Sequence, residues 1–239
     1  MSVEEPFDHQ ALRRWMKERV RDGRSRLGHG YQSEVFLYPD GRVPLIIKAA
    51  TGWGPAGWLR RAMLRREHRI YRHLDGAPGT SRCFGLLDGR YLVLEHVDGE
   101  LYRWAAIDDR EGLFRSLLEL IHGLHARGIA HGDLNRKDNL IVTADGRPCL
   151  LDFGTAVWAP EGAGALRRWV FRFIRQLDHN AWVKLKYERD LSAASAEDLA
   201  LYHDTVLEKI ARAVKRVAQR IHHPLGVPPK EHRRPQTPL

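Results

Sequence analysis

Cysteine and long apolar runs are what this chain has least of. Its 239 residues include two cysteines, Cys83 and Cys149, and each lies in a short apolar stretch typical of a buried strand. We therefore expect buried free thiols rather than a disulfide. No apolar run reaches the length that crosses a bilayer, and no apolar core follows the acidic N-terminus, so we expect no secretory signal. These absences predict a cytoplasmic protein.

The chain has an uneven excess of positive charge. Residues 164–239 carry 15 Lys and Arg against 8 Asp and Glu, which is +7 of the total net charge of +9. Such an excess indicates an anionic partner or surface, although solvated helix faces alone would give the same pattern. No base-stacking or groove-reading motif accompanies it, so we expect no specific nucleic acid partner.

Two polar blocks lie close together near the middle of the chain. The first is His-Gly-Asp-Leu-Asn-Arg-Lys-Asp-Asn at 131–139, and the second is Leu-Asp-Phe-Gly at 151–154. Two short apolar strands and a turn separate them, which places Asp133, Asn139 and Asp152 at one end of a small sheet. Two of these side chains can hold Mg²⁺, and the third can accept a proton from a hydroxyl group being phosphorylated. The pattern indicates phosphoryl transfer.

Both blocks resemble the catalytic loop and the Asp-Phe-Gly motif of the protein-kinase superfamily. The resemblance covers about residues 24–220 and implies an α+β, two-lobed protein-kinase-like fold. It has a small antiparallel β-sheet as N-lobe, a mainly helical compact C-lobe, and ATP and Mg²⁺ in the cleft. The predicted organisation is an N-terminal helix at 1–23, an N-lobe at 24–98, a C-lobe at 99–223 and a basic, proline-rich, unstructured tail at 224–239.

The resemblance implies four catalytic residues. Asp133 accepts the proton, Lys48 binds the α- and β-phosphates, Glu67 pairs with Lys48, and His131 braces the backbone near Asp-Phe-Gly. Lys48 ends an apolar strand, where a buried ammonium group needs a partner. Glu67 is the only acidic residue of a helix predicted at 59–74. Pairing of Glu67 with neighbouring arginines at helical spacing is the alternative.

The nucleotide and metal ligands follow from the same resemblance. Residues 27–36 resemble the kinase glycine-rich loop, with Ser33 in place of the third glycine. The hinge resemblance lies at 95–99, where backbone groups would bind adenine. The implied ATP-binding residues are Gly28, Gly30, Ser33, Val35, Lys48, Leu94, Glu95 and Val97. Asn139 and Asp152 are the implied metal ligands. Asp138 stays possible because Asn139 lies six residues after Asp133 rather than five.

Three departures narrow the subfamily. Gly132 replaces the arginine that normally receives a phosphorylated activation loop, so we expect no such control. Ala-Pro-Glu at 159–161 follows Gly154 too closely to enclose a peptide-binding segment, and we interpret it as a coincidence. With the short C-lobe, these features resemble bacterial lipopolysaccharide-core (Kdo/heptose) sugar kinases and RIO-type atypical kinases.

The sequence predicts an ATP-dependent phosphotransferase with an alcohol group as acceptor. The favoured acceptor is a sugar of a lipid-linked glycan, because the aromatic and basic helix predicted at 166–177 would contact the inner face of the cytoplasmic membrane. The alternative is that this helix, like one predicted at 199–221, packs in the C-lobe. A Ser/Thr protein acceptor is the competing hypothesis. A nucleotide-binding pseudokinase scaffold is the hypothesis from another class.

Overall fold

Antiparallel strands and helices build the two-lobed α+β, protein-kinase-like fold that the sequence predicts. The computed structural model describes residues 7–22, 26–29, 33–39, 43–74 and 76–204. The described residues up to Tyr202 form one compact unit. No helix in this described part of the chain is long and apolar enough to span a membrane.

The N-lobe is a five-stranded antiparallel sheet with two helices. In chain order its elements are α1 (His9–Asp22), β1 (Arg26–His29), β2 (Glu34–Tyr38), β3 (Leu45–Ala49), α2 (Gly54–Leu74), β4 (Cys83–Leu87) and β5 (Tyr91–Glu95). The strand order is β1-β2-β3-β5-β4. The tight turn between β4 and β5 uses Asp88 and Gly89, both at positive φ, as a two-residue hairpin turn of the right twist requires.

Helix α1 packs on this sheet. Its first turn is capped by Asp8, whose carboxylate accepts a hydrogen bond from the Gln10 amide at 2.7 Å. Leu12 and Met16, four residues apart on one helix face, are fully buried in an apolar cluster with sheet residues such as Phe36. The N-terminal helix therefore helps to form the core of the N-lobe.

The C-lobe combines short sheets with two long helices. Its elements are β6 (Gly99–Leu101), α3 (Arg110–Ala126), β7 (Ile129–Ala130), β8 (Leu140–Thr143), β9 (Pro148–Leu150), β10 (Val157–Trp158), α4 (Ala165–Lys186) and α5 (Ala196–Ala200). Strands β6, β8 and β9 form one antiparallel sheet, and β7 pairs with β10. Buried Trp182 of α4 packs against Phe114 of α3 and donates its indole N–H to the Phe114 carbonyl at 2.8 Å.

The later helices differ from the predicted ones. The helix predicted at 166–177 continues to Lys186, because Ala181, Trp182, Val183 and Leu185 of its second half are buried in the lobe. A helix beginning at Leu199 is wrong, since α5 begins at Ala196 and ends at Ala200, with Ser195 accepting a hydrogen bond from the Asp198 amide. Residues 205–221 and the predicted tail at 224–239 lie outside the described residues.

Neither cysteine forms a disulfide, as expected from the sequence. Cys149 is buried and Cys83 is half-buried. Burial raises the pKa of the Cys149 thiol to about 12, and nearby Glu95 adds to the effect. The Cys149 thiol is therefore protonated and chemically inert at neutral pH.

Candidate functional site

A buried lysine forms the centre of the site. The ammonium group of Lys48 lies 2.5 Å from Oε1 of Glu67 on α2 and 2.9 Å from Oδ1 of Asp152. Burial alone would lower the pKa of Lys48, but the two carboxylates outweigh it and raise the pKa above its ordinary value. Lys48 is therefore a permanent positive charge fixed between the two lobes.

Asp152 lies where strand β9 has ended and the Asp-Phe-Gly segment turns. Its backbone adopts a left-handed conformation (φ +60°), and its carboxylate accepts a hydrogen bond from the Gly154 amide at 3.3 Å. Burial would raise the pKa of Asp152, but the Lys48 ammonium group outweighs burial and lowers it. An ionised carboxylate at this position is a hard oxygen donor of the kind that Mg²⁺ prefers.

Asp133 and Asn139 are joined directly. The amide nitrogen of Asn139 donates to the backbone carbonyl of Asp133 at 2.9 Å and to its Oδ2 at 3.0 Å. Since the nitrogen is used for Asp133, the metal-binding end of the Asn139 amide is its carbonyl oxygen. Burial raises the pKa of Asp133 above its ordinary value, although Asn139 and Arg136 counteract the effect. A raised pKa makes the carboxylate more basic and therefore better suited to act as a general base.

The neighbouring Asp138 is directed elsewhere. Its carboxylate pairs with the guanidinium group of Arg103 at 3.0 Å. In the described part of the chain, no three His, Cys, Asp or Glu side chains form a group that could hold a metal ion. Because the Asp138 carboxylate is paired with Arg103, Asn139 and Asp152 stay the predicted metal ligands.

His131 connects the two polar blocks. Its Nε2 lies 2.9 Å from the Leu151 carbonyl, and its Nδ1 accepts a hydrogen bond from the Asp133 amide at 3.2 Å. A carbonyl can only accept, so these two bonds together require a neutral imidazole with its proton on Nε2. The ring also packs against Phe153, at 4.8 Å between ring centres. His131 thus fixes the backbone on both sides of the site.

Sequence reasoning missed the carboxylate that supports the catalytic loop. Asp178 of α4 is 1% exposed and accepts hydrogen bonds from the backbone amides of His131 at 2.7 Å and Gly132 at 2.8 Å. Its Oδ2 also lies 3.1 Å from Nε2 of His125. The available signal was an acidic residue between the apolar positions Ile174 and Leu177 and the apolar run at 181–183 of α4. The predicted helix had ended one residue too early to include it.

Gly132 is required by the backbone at this point. Its φ is +81°, and a β-carbon there would lie 3.2 Å from Cγ2 of Ile174. A left-handed backbone is strained for residues with a side chain. The glycine that replaces the arginine of His-Arg-Asp is therefore also required by the left-handed backbone of this loop.

A second residue absent from the predictions is Arg66. Its guanidinium group donates to the carbonyls of Gly154 at 3.0 Å and Ala156 at 2.5 Å. It lies next to Glu67 on α2, so it ties that helix to the segment after Asp152. These two hydrogen bonds keep α2, which carries Glu67, next to the segment that carries Asp152.

We expect Arg66→Gln to lower kcat by about tenfold, because loss of two charge-assisted hydrogen bonds, each worth about 1.5–3 kcal/mol, loosens the segment that carries Asp152. The measurement is steady-state phosphotransfer at saturating ATP. Arg69→Gln, an exposed arginine on the same helix, is the matched control. Equal activity in both variants would show that Arg66 does not position the segment.

The described residues among those predicted to bind ATP are spread over several strands of the N-lobe sheet and the segment that follows β5. Val35 lies opposite Lys48 in the strand register, and Gly28 lies opposite Val35. Ser33 directly precedes β2, whereas Gly30 lies outside the described residues. Leu94 is buried at the end of β5. Glu95 closes that strand, and the chain then crosses to the C-lobe sheet through residues that include Val97.

The segment after the site is short. Residues 155–164 connect the Asp-Phe-Gly turn to α4, and they include strand β10 paired with β7. Ala159, the first residue of the Ala-Pro-Glu sequence, donates its amide to the Gly128 carbonyl at 2.8 Å. The Ala-Pro-Glu tripeptide therefore belongs to a loop beside α3. That it matches the kinase motif by coincidence stays an interpretation.

Comparison with known proteins points to kinases. No family model matches the chain. It is 30% identical over 143 residues to the probable serine/threonine-protein kinase YbdM of Bacillus subtilis, covering 54% of this chain and 55% of that protein. It is 31% identical over 113 residues to calcium-dependent protein kinase 14 of rice, covering 41% of this chain and 21% of that protein. It is 28% identical over 169 residues to Aurora kinase A-B of Xenopus laevis, covering 65% and 40%.

The similarity to protein kinases agrees with the kinase-like fold of the chain. The chain spans between about a fifth and just over half of the length of these curated relatives. Fold and similarity together support a protein-kinase-like protein, and the sequence prediction is confirmed to that extent. The narrower resemblance to lipopolysaccharide-core or RIO-type kinases stays a prediction.

Proposed function

We propose that this protein is an ATP- and Mg²⁺-dependent phosphotransferase that moves the γ-phosphoryl group of ATP to a hydroxyl acceptor. The observation that carries the proposal is the buried Lys48, held by Glu67 and Asp152 at one end of the sheet that contains the predicted nucleotide residues. Burying a cation and its carboxylate partners costs desolvation free energy, and such perturbed groups are concentrated at functional sites.

Each residue has a separate part in this proposal. Lys48 neutralises charge on the α- and β-phosphates, and Glu67 holds the ammonium group in position. The oxygens of Asn139 and Asp152 fit Mg²⁺, which when bound would supply charge neutralisation at the β- and γ-phosphates. Asp133 accepts the proton of the attacking hydroxyl through the carboxylate that Asn139 orients. His131 and Asp178 keep the backbone of Asp133 in place.

The pseudokinase alternative has less support. A nucleotide-binding scaffold usually lacks one of the required side chains, whereas Lys48, Glu67 and Asp152 are in direct contact here and Asp133 is bonded to Asn139. Asp133 argues against a scaffold, because a proton-accepting carboxylate is needed for transfer and not for nucleotide binding.

For the acceptor, we propose a sugar of a lipid-linked glycan reached at the inner face of the cytoplasmic membrane. The first half of α4 supports this proposal: Trp169 is 58% exposed and stacks on Phe173 at 6.0 Å, beside exposed Arg172 and Arg175. Each such arginine near an anionic membrane contributes about 1 kcal/mol of attraction. Ile174 of the same helix packs near Gly132, so this surface adjoins the catalytic loop.

A Ser/Thr residue of a protein is the second candidate acceptor. Its support is the similarity to relatives named as serine/threonine and calcium-dependent protein kinases. Incubating the purified protein with γ-labelled ATP, Mg²⁺ and a total cell lysate tests the two acceptors side by side. We expect label in the lipid-glycan fraction. Label in protein alone, with none in the glycan, would replace the first acceptor with the second.

We expect Asn139→Ala to raise the Mg²⁺ concentration needed for half-maximal activity by about tenfold, because one hard oxygen ligand is lost. Asp138→Ala, a neighbouring change of similar size, should leave that concentration within about twofold, since its carboxylate pairs with Arg103. The measurement is a Mg²⁺ titration of phosphotransfer at fixed ATP. A larger effect at Asp138 would exchange the two assignments.

A further inference from the structure

A recess on the C-lobe, away from the Lys48 cluster, has the composition of an anion site. It lies between the end of α3, the loop at 159–162 and the first turns of α4, and its volume is about 560 Å³. Three of its lining residues are arginines: Arg127, Arg168 and Arg172. A cavity of this size is within the range that holds small ligands.

The arginines outweigh the other charges of the recess. Glu161 is its only acidic lining residue in the described part of the chain. The positive end of α4 lies near Arg168 and the negative end of α3 lies near Arg127, so the two helix dipoles largely cancel. The guanidinium groups therefore set the charge. Their planar forks match the oxygens of phosphate better than an ammonium group does.

A buried histidine gives a second, independent indication. His125 lines the recess, and its side chain is only 7% exposed. Its Nε2 is used for Asp178, but its Nδ1 is buried without a hydrogen-bond partner in the described structure. A buried ring nitrogen normally has a hydrogen-bond partner, and the hydroxyl of a hydrogen phosphate group can supply one here. Phe171 packs edge-on against this ring, at 6.3 Å between ring centres, and forms the apolar side of the recess.

We propose that this recess binds a phosphate-class oxyanion, held by Arg127, Arg168 and Arg172. The ligand is either free inorganic phosphate or a phosphoryl group carried on a side chain, and both present the same oxygens to the arginines. The site does not depend on the proposed phosphotransfer. The recess is connected to the catalytic loop through Asp178, whose carboxylate contacts both His125 of the recess and the His131 amide of the loop.

The test is equilibrium binding of inorganic phosphate to the full-length protein, with the Lys48 site filled by a non-hydrolysable ATP analogue and Mg²⁺. We expect saturable binding that weakens at least tenfold in Arg172→Gln and partly recovers in Arg172→Lys. Arg115→Gln, an exposed arginine on α3 outside the recess, is the matched control and should bind as the wild type. Thermal unfolding without phosphate checks that the variants are folded.

Two further arms complete the experiment. In the first, O-phosphoserine replaces inorganic phosphate. Tighter binding of O-phosphoserine identifies a side-chain phosphoryl group as the ligand, and tighter binding of inorganic phosphate identifies a free ion. In the second, NMR follows the His125 ring, whose resonances should shift on phosphate addition. Binding that does not saturate, or that is equal in wild type, Arg172→Gln and Arg115→Gln, would overturn the proposal.

Discussion

Replacing Asp133 by Asn should lower phosphotransfer by about 10³-fold while leaving ATP affinity nearly unchanged. The amide of Asn cannot accept the proton of the attacking hydroxyl. It would also turn the hydrogen bond from Asn139 into a contact between two neutral amides. In the proposed function the nucleotide is held by Lys48 and the N-lobe strands, which the change does not reach. The measurements are kcat with labelled ATP and the dissociation constant of a fluorescent ATP analogue.

Asp108→Asn, an exposed carboxylate before α3, is the matched control for this change and should keep wild-type activity. The raised pKa of Asp133 arises mainly from burial, so the acid limb of the wild-type rate profile should lie above the ordinary aspartate pKa of 3.8. Activity falls as the pH drops through that limb, because the protonated carboxyl group cannot accept a proton. Full activity of the Asp133→Asn variant would remove the residue from its proposed role.

The largest expected effect on stability is at Asp178. Asp178→Ala would leave the buried amides of His131 and Gly132 and the ring of His125 without their acceptor. Each unsatisfied buried group costs about 1–3 kcal/mol, so we expect the free energy of unfolding to fall by about 3–5 kcal/mol. Urea unfolding followed by circular dichroism measures the change. Asp178→Asn keeps one acceptor oxygen and should lose less.

Glu119→Ala, an exposed acidic residue of α3, serves as the control for lost charge and should change stability by less than about 0.5 kcal/mol. If Asp178→Ala unfolded at the same urea concentration as the wild type, the hydrogen bonds to the catalytic loop would not be structurally important. Loss of activity without loss of stability would instead assign Asp178 a positioning role alone.

Local sequence patterns predicted most of the elements around the site. The short apolar stretches around Cys83 and Cys149 predicted strands, and the structure has strands at Cys83–Leu87 and Pro148–Leu150. The apolar strand that ends near Lys48 and the single acidic residue of α2 predicted a contact that the structure forms. These features depend on short-range patterns or on one unusual residue in a uniform segment.

Contacts between distant segments could not be predicted in this way. Asp178 acts on residues 46 and 47 positions earlier in the chain, and Arg66 acts 88 and 90 positions later. One arginine among the many on α2 carries no local mark of such a contact. These partners are selected by the packing of α2 against the Asp-Phe-Gly segment and of α4 against the catalytic loop.

In the proposed function, the chain assembles a phosphate site between the two lobes. A crystal structure with a non-hydrolysable ATP analogue and Mg²⁺ tests it most directly. We predict the α- and β-phosphates in contact with Lys48, and a metal ion bound by Asn139 and Asp152. A nucleotide bound elsewhere, with Lys48 still paired only to Glu67 and Asp152, would contradict the account.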